Sequence, residues 1–125
     1  MADKYKILAV DDNSISLATI EQALKGKYEV TPLKSGTRAL QYLKKNKPDL
    51  ILLDVRMASK DGVETLREIR KMEDCQNIPV IMLTSQNDKQ TVLESFTLGA
   101  ESYILKPFVT EDLQERIENA LKKAR

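Results

Sequence analysis

Three runs, Ile7 to Val10, Leu50 to Leu53 and Val80 to Leu83, are wholly apolar and only four residues long. Side chains of a strand alternate between two faces, so such runs must be covered on both sides, as in a parallel sheet flanked by helices. Tyr28 to Leu33 and Ser102 to Leu105 are weaker strand candidates. Pro32 has no N–H for a sheet ladder and points to an edge position. Between these stretches apolar residues return at helical spacing: Leu17, Ile20 and Leu24 share a face, as do Ala39, Leu40 and Leu43. Leu66 with Ile69, Val92 with Phe96, and Leu113, Ile117 and Leu121 complete the series. The punctuation agrees, since Asn13 or Ser14 can cap the first helix, Gly99 can close the fourth, and Thr110 with Asp112 suits the start of the fifth. Five strands alternating with five helices predict an α/β domain with a parallel sheet, each right-handed crossover laying a helix on one face.

With 125 residues, 42% of them apolar, the chain fits one domain with a single core and has no room for a second. The expected unit is residues 1–125, and any output domain would lie outside this sequence. A formal charge of +1 gives no field for nucleic-acid or membrane-surface binding. The basic run Lys122, Lys123 and Arg125 reads as a helix end whose cations oppose the helix dipole. Charged residues near the N-terminus precede only four strongly apolar residues, too few for a signal-peptide core or a membrane span. Cys75 stands alone, which excludes an intrachain disulfide and fits a reducing, cytoplasmic setting.

Ligands of open parallel sheets bind beyond the carboxyl ends of the strands. Those positions hold Asp11 and Asp12, then Asp54, then Thr84 and Ser85, then Lys106. Each alone has an ordinary explanation: an Asp pair starts helices, Thr and Ser make turns, and Lys closes exposed strands. Surface residues have no structural reason to gather at one edge, however. Carboxylates at about 4 Å repel by roughly 4 kcal/mol per pair at an effective dielectric of ~20. Lys106 offsets one charge and leaves two, which suits a hard divalent cation bound through oxygen. Mg²⁺ keeps positions open for phosphate oxygens, whereas a chain with no His and one Cys offers nothing for zinc. Thr84 and Lys106 can then grip an oxyanion.

These residues resemble the receiver domains of two-component response regulators over essentially the whole chain. The likeness is carried by Val10-Asp11-Asp12, by Leu52-Leu53-Asp54-Val55-Arg56-Met57 with Gly62 eight residues after Asp54, by Val80-Ile81-Met82-Leu83-Thr84-Ser85, and by Tyr103-Ile104-Leu105-Lys106-Pro107-Phe108. The resemblance implies a doubly wound (βα)5, flavodoxin-like three-layer sandwich with strand order 2-1-3-4-5. It implies that Asp54 becomes an acyl phosphate, that Asp12 ligates Mg²⁺ directly and Asp11 through water, and that Arg56 offers its backbone carbonyl to the metal. Thr84 and Lys106 would bind the phosphoryl oxygens, Lys106-Pro107 would be cis, and Thr84 with Tyr103 would form the switch. Arg56 and Gln86 would tune the lifetime of the phosphoryl group, and neither is a carboxylate that could act as a base toward water. One departure is Ala58, where the family usually has Pro after the Met, which frees φ in that loop.

The resemblance thus implies a phosphorylation-activated switch, taking its phosphoryl group from a histidine kinase or histidine phosphotransfer protein. It would present a changed surface of the fourth helix, fifth strand and fifth helix to an unidentified downstream protein. No direct nucleic-acid binding and no membrane insertion are expected, and catalysis would be confined to the chain's own phosphorylation and dephosphorylation. Two rivals fit less well. A flavodoxin-like cofactor module needs a phosphate cradle after the first strand, where Asp11 and Asp12 would repel it. A Mg²⁺-dependent aspartyl phosphohydrolase needs a second Asp two residues after the nucleophile, and position 56 is Arg.

Overall fold

The computed structural model describes residues 4–57, 61–85 and 89–124. Five strands, β1 (Lys6–Val10), β2 (Glu29–Leu33), β3 (Leu50–Leu53), β4 (Val80–Thr84) and β5 (Ser102–Leu105), alternate with α1 (Ser14–Leu24), α2 (Gly36–Leu43), α3 (Gly62–Lys71), α4 (Lys89–Thr97) and α5 (Thr110–Lys123). All pairings are parallel, in the order β2-β1-β3-β4-β5. Both the fold class and the strand order are as expected. Pro32 lies on edge strand β2, opposite Ala9.

Alternate residues of the central strands feed two separate cores. Ile7, Ala9, Leu50, Leu52, Ile81 and Leu83 meet Leu17, Ile20, Leu24, Leu113 and Ile117 of α1 and α5. Leu8, Val10, Ile51, Leu53, Val80 and Met82 meet Ala39, Leu43, Leu66 and Ile69 of α2 and α3. Register then fixes the functional edge, because Val10 lies beside both Leu33 and Leu53, Leu53 beside Met82, and Thr84 beside Leu105. Among the described residues no helix is long and apolar enough to cross a membrane.

The helix ends follow the capping rules in part. Asn13, not Ser14, caps α1 by accepting the Ser16 N–H, and Gly99 closes α4 with φ +86°. Thr110 is the first residue of α5, preceded by Val109, which makes no side-chain cap. Leu40 is only half-buried, unlike Ala39 and Leu43.

The expected apolar face of the fourth helix is corrected by the structure. Its buried residue is Ser95, while Phe96 remains 45% and Leu93 59% exposed. Ser95 tolerates burial because its hydroxyl donates to the Thr91 carbonyl at 2.9 Å. Polar groups of α3 take over the task of attachment. Arg67 pairs with Glu94 at 2.5 Å. Arg70 spreads its guanidinium over four backbone carbonyls: Leu98 and Gly99 at the end of α4, and Cys75 and Ile78 before β4, all at 3.0–3.2 Å. A lysine cannot reproduce that planar fork. Arg70→Lys should therefore lower stability nearly as much as Arg70→Met, by about 2–4 kcal/mol, measured by urea unfolding. A lysine variant as stable as the parent would show that charge, not the fork, matters at this position.

Candidate functional site

The residues that follow the strands are stitched to neighbouring strands by their own backbone. Asp11 N–H donates to Leu33 O at 3.1 Å, Asp54 N–H to Val10 O at 3.0 Å, and Lys106 N–H to Thr84 O at 2.9 Å. Each functional side chain thereby leaves the sheet from a fixed anchor. The first turn of α1 orients Asp11 further, since Asn13 N–H donates to Asp11 Oδ1 at 3.0 Å. On the other side, Asp61 caps α3 and Gly62 N–H donates to Val55 O at 2.7 Å. A Cβ at Gly62 would lie 2.1 Å from the Asp54 carbonyl oxygen, so any larger residue displaces the backbone of Asp54 itself. The Lys106-Pro107 bond is cis, as expected.

Asp11, Asp12 and Asp54 each offer an oxygen, and these oxygens lie within 4.8 Å of one another. Asp11 and Asp54 are buried, whereas Asp12 is exposed. Lys106 Nζ sits 2.5 Å from Asp11 Oδ2 and 3.7 Å from Asp54 Oδ1. Thr84 is fully buried, and its hydroxyl donates to the Asp54 carboxylate. Burial is the main reason that the Asp54 carboxyl is pushed up to about 6; Asp11 and Asp12 raise it further, against the opposing effects of Lys106 and the Thr84 hydrogen bond. A cluster of three carboxylates facing one ammonium lacks positive charge, and its all-oxygen donor set suits a hard divalent cation such as Mg²⁺.

The structure thus brings together Asp11, Asp12, Asp54, Thr84 and Lys106. Arg56, two residues beyond Asp54, is exposed and lines a cleft of about 440 Å³ with Val55, Arg67, Thr91 and Glu94. Tyr103 is half-buried beside Met82 and packs on the core beneath α2 and α3. Gln86 and Ala58 lie outside the described residues. Sequence reasoning missed Ser16, whose Oγ accepts from Lys106 Nζ at 3.1 Å. No periodicity marks it, because the contact joins residues 90 positions apart.

Raising a carboxyl above its unfolded value of 3.8 means that the fold favours its protonated form. The resulting stability is fully present below that value and is lost as pH rises through about 6. In metal-free buffer Asp54→Asn, which cannot ionise, should melt on the order of 5 °C above the parent at pH 8, with the gap closing toward pH 4. A gap that does not vary with pH would exclude Asp54 as its source.

Comparison with known proteins agrees with this geometry. The family model for the response regulator receiver domain matches residues 7–118. The chain is 41% identical over 121 residues to the transcriptional regulatory protein ZraR of Escherichia coli K12, a match that takes in 95% of this chain and 27% of that protein. It therefore spans about a quarter of that relative's length. A CheY-like response regulator receiver domain protein from Methanospirillum hungatei JF-1 superposes with a TM-score of 0.91 at 28% identity, covering 98% of this chain and 97% of its own. The receiver domain of sensor histidine kinase PA1611 from Pseudomonas aeruginosa PAO1, which carries a coordinated magnesium ion in its active-site cleft, superposes with a TM-score of 0.88 at 30% identity over 96% of this chain and 99% of its own. With the sheet order, the acidic edge and the family match in agreement, the chain belongs to the receiver domains of two-component response regulators.

Proposed function

We propose that residues 1–125 act as a phosphorylation-dependent switch whose acceptor is Asp54. The observation that carries this reading is a buried carboxylate at a strand end, contacted by Thr84 and flanked by Lys106, with two further carboxylates beside it. An Asp54 oxygen attacks phosphorus in line with the leaving group; the P–O bond to Asp54 forms as the bond to the donor's nitrogen or oxygen breaks. The Lys106 ammonium and Thr84 hydroxyl meet the charge on the equatorial phosphoryl oxygens. Catalysis is then largely positioning and electrostatics. Mg²⁺, held by Asp12, Asp54, the Arg56 carbonyl and, through water, Asp11, would supply the positive charge that the cluster lacks. The magnesium in the PA1611 receiver supports this assignment.

The donor is a histidine kinase or histidine phosphotransfer protein, which places the chain in the cytoplasm. After transfer the new group carries about −1.5 to −2 charge and draws Thr84 toward it, letting Tyr103 turn inward and reshaping the α4-β5-α5 surface for a downstream protein. Chemistry stays confined to the chain's own phosphorylation and dephosphorylation. Arg56 shields the phosphoryl group from water, so self-hydrolysis is slow, while the amide of Gln86 either orients or excludes the attacking water at the same step.

Phosphoramidate with Mg²⁺ should add one phosphoryl group by intact mass, and Asp54→Asn should abolish it. Undiminished modification of the variant would refute the assignment. The same phosphorylated sample reports the lifetime, which Arg56→Asn should shorten; an unchanged decay would remove Arg56 from that role.

Asp11 and Asp12 are adjacent yet unequal. Both Asp11 oxygens are already engaged, Oδ1 by Asn13 and Oδ2 by Lys106, which suits an indirect role at the metal. Asp12→Ala should therefore weaken Mg²⁺ binding about tenfold or more, and Asp11→Ala less, in a Mg²⁺ titration. The reverse order would exchange the two roles.

A further inference from the structure

We infer that the Ser16 hydroxyl is a positioning group for the Lys106 ammonium, an inference that deepens the reading of Lys106 given above. A lysine carries its charge on a long, flexible stem and delivers it to one place only if its N–H donors are held. The ammonium has three. One goes to Asp11 Oδ2 at 2.5 Å and a second to Ser16 Oγ at 3.1 Å, while Asp54 Oδ1, at 3.7 Å, is beyond hydrogen-bonding distance. A single acceptor would leave the ammonium free to swing about that bond. Two acceptors on the α1 side leave the third hydrogen for the Asp54 side, where the phosphoryl oxygens are to arrive.

Both acceptors depend on one residue. Asn13 donates its N–H to Asp11 Oδ1 at 3.0 Å, and its side chain accepts the Ser16 N–H at 3.0 Å. The cap of α1 therefore sets the carboxylate and the hydroxyl that together hold Lys106, closing a ring of Asn13, Asp11, Lys106 and Ser16. Ser16 also lines an open cleft of about 370 Å³ with Ile15, Thr19, Ser85, Pro107 and Phe108. Water can enter there and partly replace a lost hydroxyl, which keeps the effect of its removal moderate.

The test uses the full chain, in parent, Ser16→Ala and Ser16→Thr forms. First, the Lys106 ammonium resonance is recorded by ¹H–¹⁵N correlation on unphosphorylated, metal-free protein. Second, the rate of modification by phosphoramidate is measured at saturating Mg²⁺. Ser16→Ala should speed hydrogen exchange at the Lys106 ammonium and slow phosphorylation by about three- to tenfold, the range expected for loss of one hydrogen bond. Ser16→Thr, which keeps the hydroxyl, should restore both. An unchanged ammonium signal or an unchanged rate in Ser16→Ala overturns the inference, as does a threonine variant as impaired as the alanine one. If the parent itself takes no phosphoryl group, the reading of Asp54 fails, while the Lys106 resonance still decides the role of Ser16.

Discussion

Beyond Lys6 at the start of β1, strands β1, β3 and β4 have no face that water can reach. The side chains of Ile7 to Val10, Leu50 to Leu53 and Val80 to Leu83 alternate between two cores, so a one-residue slip within these runs would exchange apolar side chains between cores and meet little penalty from polarity. What holds the register is therefore the ladder itself and the hydrogen bonds just past it, from Asp11 to Leu33 and from Asp54 to Val10. The same bonds align the strand ends. Folding and site assembly are thus one event, because the backbone that completes the sheet also carries the carboxylates.

That dependence explains why so much was legible in the sequence. A run such as Leu50 to Leu53 admits few environments, and Pro32 announces an edge by the hydrogen bond it cannot make. The ordering of the candidate residues after apolar runs was equally readable, since chain topology alone carries them to one edge. The spacing of Gly62 from Asp54 was visible too, but its cause was not: the 2.1 Å approach to the Asp54 carbonyl exists only in three dimensions.

Other features were hidden for a common reason. Periodicity reports the average polarity of a face and is silent about single polar side chains that find distant partners. Val92 and Phe96 suggested an apolar stripe, yet Ser95 is the residue that turns inward, with its hydroxyl satisfied within its own helix. Arg70 and Ser16 act through contacts 28 and 90 positions away, to Leu98 and Lys106 respectively. The family resemblance separates the roles of Asp11 and Asp12, but their surroundings appear only in three dimensions, the first enclosed and tied to Lys106, the second facing solvent.

The attachment of α4 has a consequence for how such a domain can diversify. Because this helix gives the core a single serine and is held through Arg67 and Arg70 of α3, its outward residues carry little of the folding free energy. Leu93 and Phe96 can be exchanged for other side chains at small cost to the core, since burying neither is required. Under the role proposed for the α4-β5-α5 surface, recognition and foldability would be written in separate parts of the chain, and a lineage could change what α4 touches without first having to rescue the domain that bears it.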